Sequence, residues 1–543
     1  MLLWELENVT VCKERAELAP VRSWLTTFRT TGARALLLIT AILVEASVVI
    51  PPLQAQESAA FATQVQQLID QAKWESALWG IHIVSLKDGR VVFSSNARKR
   101  FLPASSMKLL IGAAALDTVA PDFRFETSVY GEGVIDAHGR LLGNLVIAGH
   151  GDPNLEGRIY DPQFEELTPQ DIPASVAQTA MQLAERGVKS IVGDVIADET
   201  LFLHEPHDPS WELENMLWSY SAPVSSLAVS ENWFQLEVLP AESEGGAAFI
   251  RPVPTETGFV FVNQVKTVGQ TRQPWIGIDR NEFGNRVTVR GEIPLRHAGL
   301  KYNLAARDGG VFAGHLLRLA LAQRGIGVTG NVKTRQLAQL DILEQGKASI
   351  DAAKRLQSIH REEQRLASIK TQPLAESLKI MMKASNNLYA EMMLRNLGAW
   401  TTGLGSVNTG TAAVEAFLEK TGTPRNGVSL NDGSGLSRKN LITPDSVVRL
   451  LQYMDQHPRR DVFLELLPVA GRDGTLRNRM KKGSAFEHIF AKTGSIEFVN
   501  TLSGFALAKN GERLAFSIMV NNAATASREV REAIDMICEW MTQ

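Results

Sequence analysis

The sequence predicts an α+β protein: an antiparallel sheet flanked by helices, assembled from both ends of the chain and interrupted by a long β-rich insertion. Three observations predict it. Strand-like runs occur near the start, at 80–86 and 91–93, and again near the end, at 486–491, 501–508 and 514–520, with helical patterns beside both groups. Between 120 and about 340 the texture changes to short apolar runs, such as 145–148, 190–196, 259–262 and 286–289, punctuated by Gly and Pro, and helical periodicity is confined to 175–186 and 311–324. At 543 residues the chain also exceeds what one compact core serves, so two or three domains are expected.

Taken in order, Arg22, Arg29 and Arg34 precede an apolar run at 35–44, broken by Glu45 before Pro51 and Pro52. A basic flank, a short apolar core and a small residue at the exit read as a secretory signal over 1–55, with cleavage after Ala55, and a retained anchor as the alternative. The working part is then expected outside the cytoplasm, periplasmic or otherwise extracytoplasmic. Phe61, Val65, Leu68 and Ile69 give a helix over 59–72, and Lys87-Asp88-Gly89 marks a hairpin turn. The helix-flanked sheet is assigned to 56–119 and 365–543, the β-rich insertion to 120–342, expected as two domains, and a charged helical connector to 343–364, its pattern running on to 367. Helices follow at 374–397, 411–420, after Thr443-Pro444-Asp445, and at 527–541; Lys509-Asn510-Gly511 turns between the last two strands.

Composition narrows the chemistry. A formal net charge of -3 leaves no electrostatic footprint for nucleic acid, while peripheral contact with a membrane and the oligomeric state stay open. Two cysteines, Cys12 and Cys538, support neither a disulfide framework nor a thiolate metal site. His204-Glu205-Pro206-His207 is interrupted by Pro206, which breaks the helix that a paired-histidine zinc motif needs, and no nucleotide-binding glycine motif occurs, so no metal and no cofactor are expected.

The candidate chemistry sits in Pro103-Ala104-Ser105-Ser106-Met107-Lys108, where Pro ahead of an Ala- and Leu-rich run places a helix start at or near Ser105. Three residues on, Lys108 shares its helix face. A serine needs a base to become a nucleophile. Lysine serves only if its pKa falls from about 10.4 towards 7, at a cost of about 4 to 5 kcal/mol, which burial and a second nearby cation can impose. Two further elements complete such a site. Ser385-Asn386-Asn387 is one of several S-x-N triplets, with Ser94, Ser230, Ser406 and Ser429 opening the others, and it is singled out by its position at a helix junction. Lys492-Thr493-Gly494-Ser495 ends a strand-like run, whereas the same triplet at Lys420-Thr421-Gly422 follows a helical run and reads as ordinary helix-stop chemistry.

In order and type, Ser105/Lys108, Ser385/Asn387 and Lys492/Thr493/Gly494 resemble the active site of penicillin-binding proteins and serine β-lactamases. Ser385 follows Lys108 by 277 positions. A gap of that size resembles the class C low-molecular-mass penicillin-binding proteins, the D-alanyl-D-alanine carboxypeptidase/endopeptidases, which carry two extra domains between the first two motifs. Gly151-Asp152-Pro153-Asn154-Leu155, Asp432-Gly433-Ser434-Gly435-Leu436-Ser437-Arg438 and the stretch 467–476 extend the likeness, which covers nearly everything after residue 60. Ser106 for a common threonine, Asn386 for a frequent aspartate and His150 within a usual glycine run depart from the pattern.

The resemblance implies a serine β-lactamase/penicillin-binding transpeptidase-like fold and acyl transfer through Ser105. Lys108 would be the base, Ser385 a proton relay and Asn387 a binder of the substrate amide. Lys492 and Thr493 would hold the terminal carboxylate, Gly494 would leave room for the substrate, and the N–H groups of Ser105 and Ser495 would form an oxyanion hole. Peptidoglycan peptides and β-lactams are the partners it implies. A β-lactamase and a non-catalytic penicillin-binding wall protein are the competing readings.

Overall fold

Continuous apolar strand runs, buried on both faces, build the catalytic part. In a computed structural model, which describes residues 53–163, 167–281, 284–338 and 364–543, residues 58–543 form one compact unit. Its five-stranded sheet has the order Ile489–Ile496, Val499–Leu507, Arg513–Asn521, Leu78–Ser85, Val91–Ser95, with antiparallel neighbours throughout. Successive side chains leave opposite faces of a strand, so the central pair covers two cores at once. Ile81, Ile83, Phe516 and Ile518 pack with Val65 and Leu68 of the helix Leu53–Ile69 and with Val530 and Ile537 of the closing helix Ser527–Met541. From the opposite face Val84, Ala515 and Met519 meet the helices of the middle layer, among them Lys108–Thr118 and Pro444–Gln456. The hairpin turn forms where expected, with Gly89 left-handed at φ 75°.

The insertion contains a sheet of seven strands and two of three strands, and one hydrophobic core, with the helices Ala174–Glu185 and Gly309–Gln323, runs through them. The run 190–196, read as one strand, is two: Ser190–Val192 and Val195–Leu203 are split where Gly193 lies so close to the Gly143 carbonyl that a β-carbon would sit 2.3 Å from its oxygen. Strand Arg365–Pro373 hydrogen-bonds to Arg124–Ile135 of the insertion. Residues 365–373, assigned from sequence to the catalytic part, therefore belong to the inserted sheet, and 365–367 are strand where helix was expected. Most of the charged connector lies outside the described residues. So does the expected leader, except for 53–55, which open the first helix. Among the described residues no helix is long and apolar enough to cross a membrane.

Candidate active site

Ser105 does not open an α-helix as its spacing suggested. It lies in a 3-10 turn, Ala104–Met107, ahead of the α-helix Lys108–Thr118, and Ala104 takes the left-handed φ of 46°. The turn is pinned from outside. Thr501 Oγ1 donates to the Pro103 carbonyl at 2.9 Å and meets Ser106 Oγ at 2.8 Å, so the serine that replaces threonine still makes a bond. Gly435 closes the turn from the far side, where a β-carbon would lie 1.9 Å from the Ala104 oxygen. Every residue from Lys108 to Leu116 is buried, so this helix is apolar all round and its lysine is cut off from water.

Burial is what drives the Lys108 amine down to about 7, against the carboxylates of Asp432 and Glu391, which raise it. Its nitrogen lies 2.9 Å from Ser105 Oγ, 2.7 Å from Asn387 Oδ1 and 2.7 Å from the Ser434 carbonyl oxygen. The last two accept hydrogen bonds and cannot donate. A neutral amine has two hydrogens to give, so with both committed to these oxygens its lone pair is left facing the Ser105 hydroxyl.

The other predicted residues converge on the same cleft. The expected helix 374–397 is broken into Leu374–Lys383 and Asn387–Thr402, and Ser385 sits in the break at φ 59°, a conformation that a serine holds only under constraint. Asn386 supplies part of it: Oδ1 accepts from the Tyr389 N–H at 3.2 Å, and Nδ2 donates to Glu231 Oε2 at 2.9 Å. An aspartate there would set carboxylate against carboxylate, so the departure at 386 fits its neighbour.

Lys492, 0% exposed, donates to Ser385 Oγ at 2.9 Å and to the Thr493 carbonyl at 2.8 Å. Burial, and then repulsion from Lys108, hold its amine well below the ordinary range. Of the two causes expected from sequence, burial and a second nearby cation, burial dominates at Lys108, and the repulsion between the two amines falls on Lys492. Thr493 Oγ1 donates to Thr475 Oγ1 at 2.7 Å, and Gly494 lies against the nucleophile turn, a β-carbon there being 2.6 Å from the Pro103 oxygen and 3.0 Å from the Ser105 nitrogen. Ser105, Ser385, Asn387 and Ser495 line a cleft of about 450 Å³.

Several contributors went unassigned in the sequence. Asp432 receives the N–H groups of Gly435 and Ser437 at 2.8 and 2.7 Å, bending its loop so that the Ser434 carbonyl reaches Lys108. Buried Glu391, raised to about 7 chiefly by burial, accepts from the Gly433 and Ser434 N–H groups. The insertion reaches in as well: Asn387 Nδ2 donates to the Tyr220 carbonyl at 2.9 Å, and Trp211 Nε1 to Asp432 at 3.0 Å. Buried Lys383 bonds Asp473 at 2.6 Å, tying the helix before Ser385 to the loop that carries Thr475. The stretch 432–438 was visible as a motif, but a backbone carbonyl leaves no residue signature.

The chain is 32% identical over 499 residues to a D-alanyl-D-alanine carboxypeptidase of Actinomadura sp. (strain R39), an alignment covering 89% of this chain and 86% of that one. It is 27% identical over 450 residues to the D-alanyl-D-alanine carboxypeptidase DacB of Haemophilus influenzae, covering 82% and 85%. The crystal structure of penicillin-binding protein 4 (dacB) from that organism superposes with a TM-score of 0.72 at 24% identity, over 88% of this chain and 98% of the other, and shares its fold. A family model matches residues 61–542, nearly the whole described chain, and by that match the chain belongs to the D-Ala-D-Ala carboxypeptidase 3 (S13) family.

Proposed function

We propose that the protein is a serine-type D-alanyl-D-alanine carboxypeptidase and endopeptidase that cuts peptidoglycan stem peptides and their cross-links, outside the cytoplasm, through an acyl ester on Ser105. The observation that carries this reading is the Lys108 amine, driven down to about 7 with two acceptor oxygens fixing its hydrogens and Ser105 Oγ 2.9 Å away. Lys108 takes the hydroxyl proton as Ser105 attacks the carbonyl of the penultimate D-alanine. The N–H groups of Ser105 and Ser495 receive the developing oxyanion, an interaction worth about 3 to 4 kcal/mol per donor. Ser385 passes a proton to the departing amine, Asn387 holds the substrate amide, and water then releases the acyl group.

The terminal carboxylate supplies Lys492 with an anion, since the amine bonds only the Ser385 hydroxyl and the Thr493 carbonyl among the described residues. Free of substrate, Lys492 is held down by burial and by Lys108; a carboxylate beside Lys492 and Thr493 favours its ammonium, so substrate and proton bind together. β-Lactams enter the same acylation and leave slowly, which separates the protein from a β-lactamase.

The test is release of D-alanine from a disaccharide-pentapeptide, together with labelling by a fluorescent penicillin. The protein as it stands is expected to do both and Ser105→Ala neither. Labelling that survives in Ser105→Ala, or labelling without D-alanine release, would overturn the assignment.

A further inference from the structure

A second groove, of about 570 Å³, continues from the cleft past the strand Ile489–Ile496. The two share Ser495, and the groove is lined by Thr493, assigned above with Lys492 to the carboxylate of the departing residue, by its hydrogen-bond partner Thr475, and by Arg479, Arg528 and Arg531. Whatever is attached to the departing residue beyond its carboxylate has this groove in front of it. A single D-alanine ends at Thr493, whereas a longer leaving group has the rest of the groove before it.

The charges in the groove are unequal in what they leave over. Arg479 is engaged by Asp535, with nitrogen to oxygen distances of 2.6 and 3.1 Å, and Arg528 by Glu532 at 2.7 Å. Arg531, half-buried on the first turns of the helix Ser527–Met541, forms no ion pair among the described residues and donates only to Ser527 Oγ at 3.3 Å. Asp535 feels its field, but the Arg479 guanidinium occupies that carboxylate. One cation is therefore left to face a groove wide enough for a peptide.

Resting on the function proposed above, we infer that this groove is the leaving-strand subsite of the endopeptidase reaction. It receives the acceptor stem of a cross-link, and Arg531 pairs with a second carboxylate on that peptide, beyond the one held by Lys492 and Thr493. Arginine suits this task because its planar fork meets a carboxylate with two hydrogen bonds. Monomeric pentapeptide, whose leaving group ends at one carboxylate, makes no use of it.

The experiment compares two substrates on the full chain: D-alanine release from disaccharide-pentapeptide, and cleavage of cross-linked muropeptide dimers, for the unaltered protein, Arg531→Ala, Arg531→Glu and Arg531→Lys. Loss of a charge-assisted hydrogen bond predicts that kcat/KM on dimers falls about tenfold or more in Arg531→Ala and further in Arg531→Glu. Arg531→Lys should recover part of it, and release from the monomer should stay within about twofold for all, which also reports that the variants fold. Dimers amidated on the acceptor stem at every carboxylate except that of the departing residue should not distinguish Arg531 from Ala. Equal losses on both substrates, or none on dimers, overturn the inference and leave the carboxypeptidase standing. An unaltered protein that acts on monomers but not dimers overturns it too. One that releases no D-alanine fails at the underlying reading, and the groove assignment falls with it.

Discussion

The chain spells Lys-Thr-Gly twice, and the two copies have opposite fates. At 492–494 the triplet lies on the edge strand of the catalytic sheet, its lysine fully buried and bonded to Ser385. At 420–422 it closes the helix Val407–Lys420, where the exposed lysine pairs with Asp117 at 2.7 Å and Gly422 takes the left-handed φ of 71°. The glycines differ in the same way. Gly494 is required for room, since a β-carbon would meet Thr501 Oγ1 at 2.3 Å, whereas Gly422 has space around it and is required for its backbone angle. Identical letters thus acquire chemistry from the element that carries them.

Substitutions at the two copies sharpen or break that contrast. Lys492→Ala should lower kcat/KM for D-alanine release by about 10² to 10³, as loss of a preorganised charge does, while leaving the far-ultraviolet circular dichroism unchanged; a loss below tenfold would sink its assigned role. Acidification comes next: with the deprotonated Lys108 amine as the proposed base and its pKa at about 7, the penicillin acylation rate should fall about tenfold per pH unit below 7 and level off above. Gly494→Ala must push against Pro103 and Thr501, so unfolding should be easier by about 1 to 3 kcal/mol, and Gly422→Ala by about 1 kcal/mol with activity intact. Thermal melts of both, with turnover measured alongside, separate the two cases. Smallest of all, Lys420→Ala removes one surface ion pair and should cost about 0.2 to 1 kcal/mol with no change in acylation.

Much of the fold was legible because the catalytic sheet reads plainly: the apolar runs at 514–520 and 501–508, the turn at Gly511 and the capped Thr443-Pro444 start all reappear. Ser385 could be chosen over Ser406 by its position at a helix junction; in the structure it sits in a helix break at a left-handed φ, whereas Ser406 caps a helix, accepting from Thr409 N–H. What stayed hidden has common physical causes. The 3-10 turn at Ser105 is imposed by Thr501 and Gly435, both hundreds of positions away, so local propensity favoured the simpler helix. The strand Arg365–Pro373 follows a charged run and takes its conformation from Arg124–Ile135, and the Ser434 and Tyr220 oxygens act as backbone atoms, whatever side chain they carry.

The sheet register also sets an order of events. Gly80 pairs with Met519 and Ile83 with Phe516, partners more than four hundred positions apart, and the nucleophile turn leans on Thr501 from the same late strands. Contacts of such range close slowly and last. A growing chain therefore carries Ser105 and Lys108 long before it has the walls that strip water from the amine, and until the strand Arg513–Asn521 is in place that lysine stays charged and the serine inert. On the proposed mechanism reactivity arrives only with the finished fold, so the chain can be made with its nucleophile switched off.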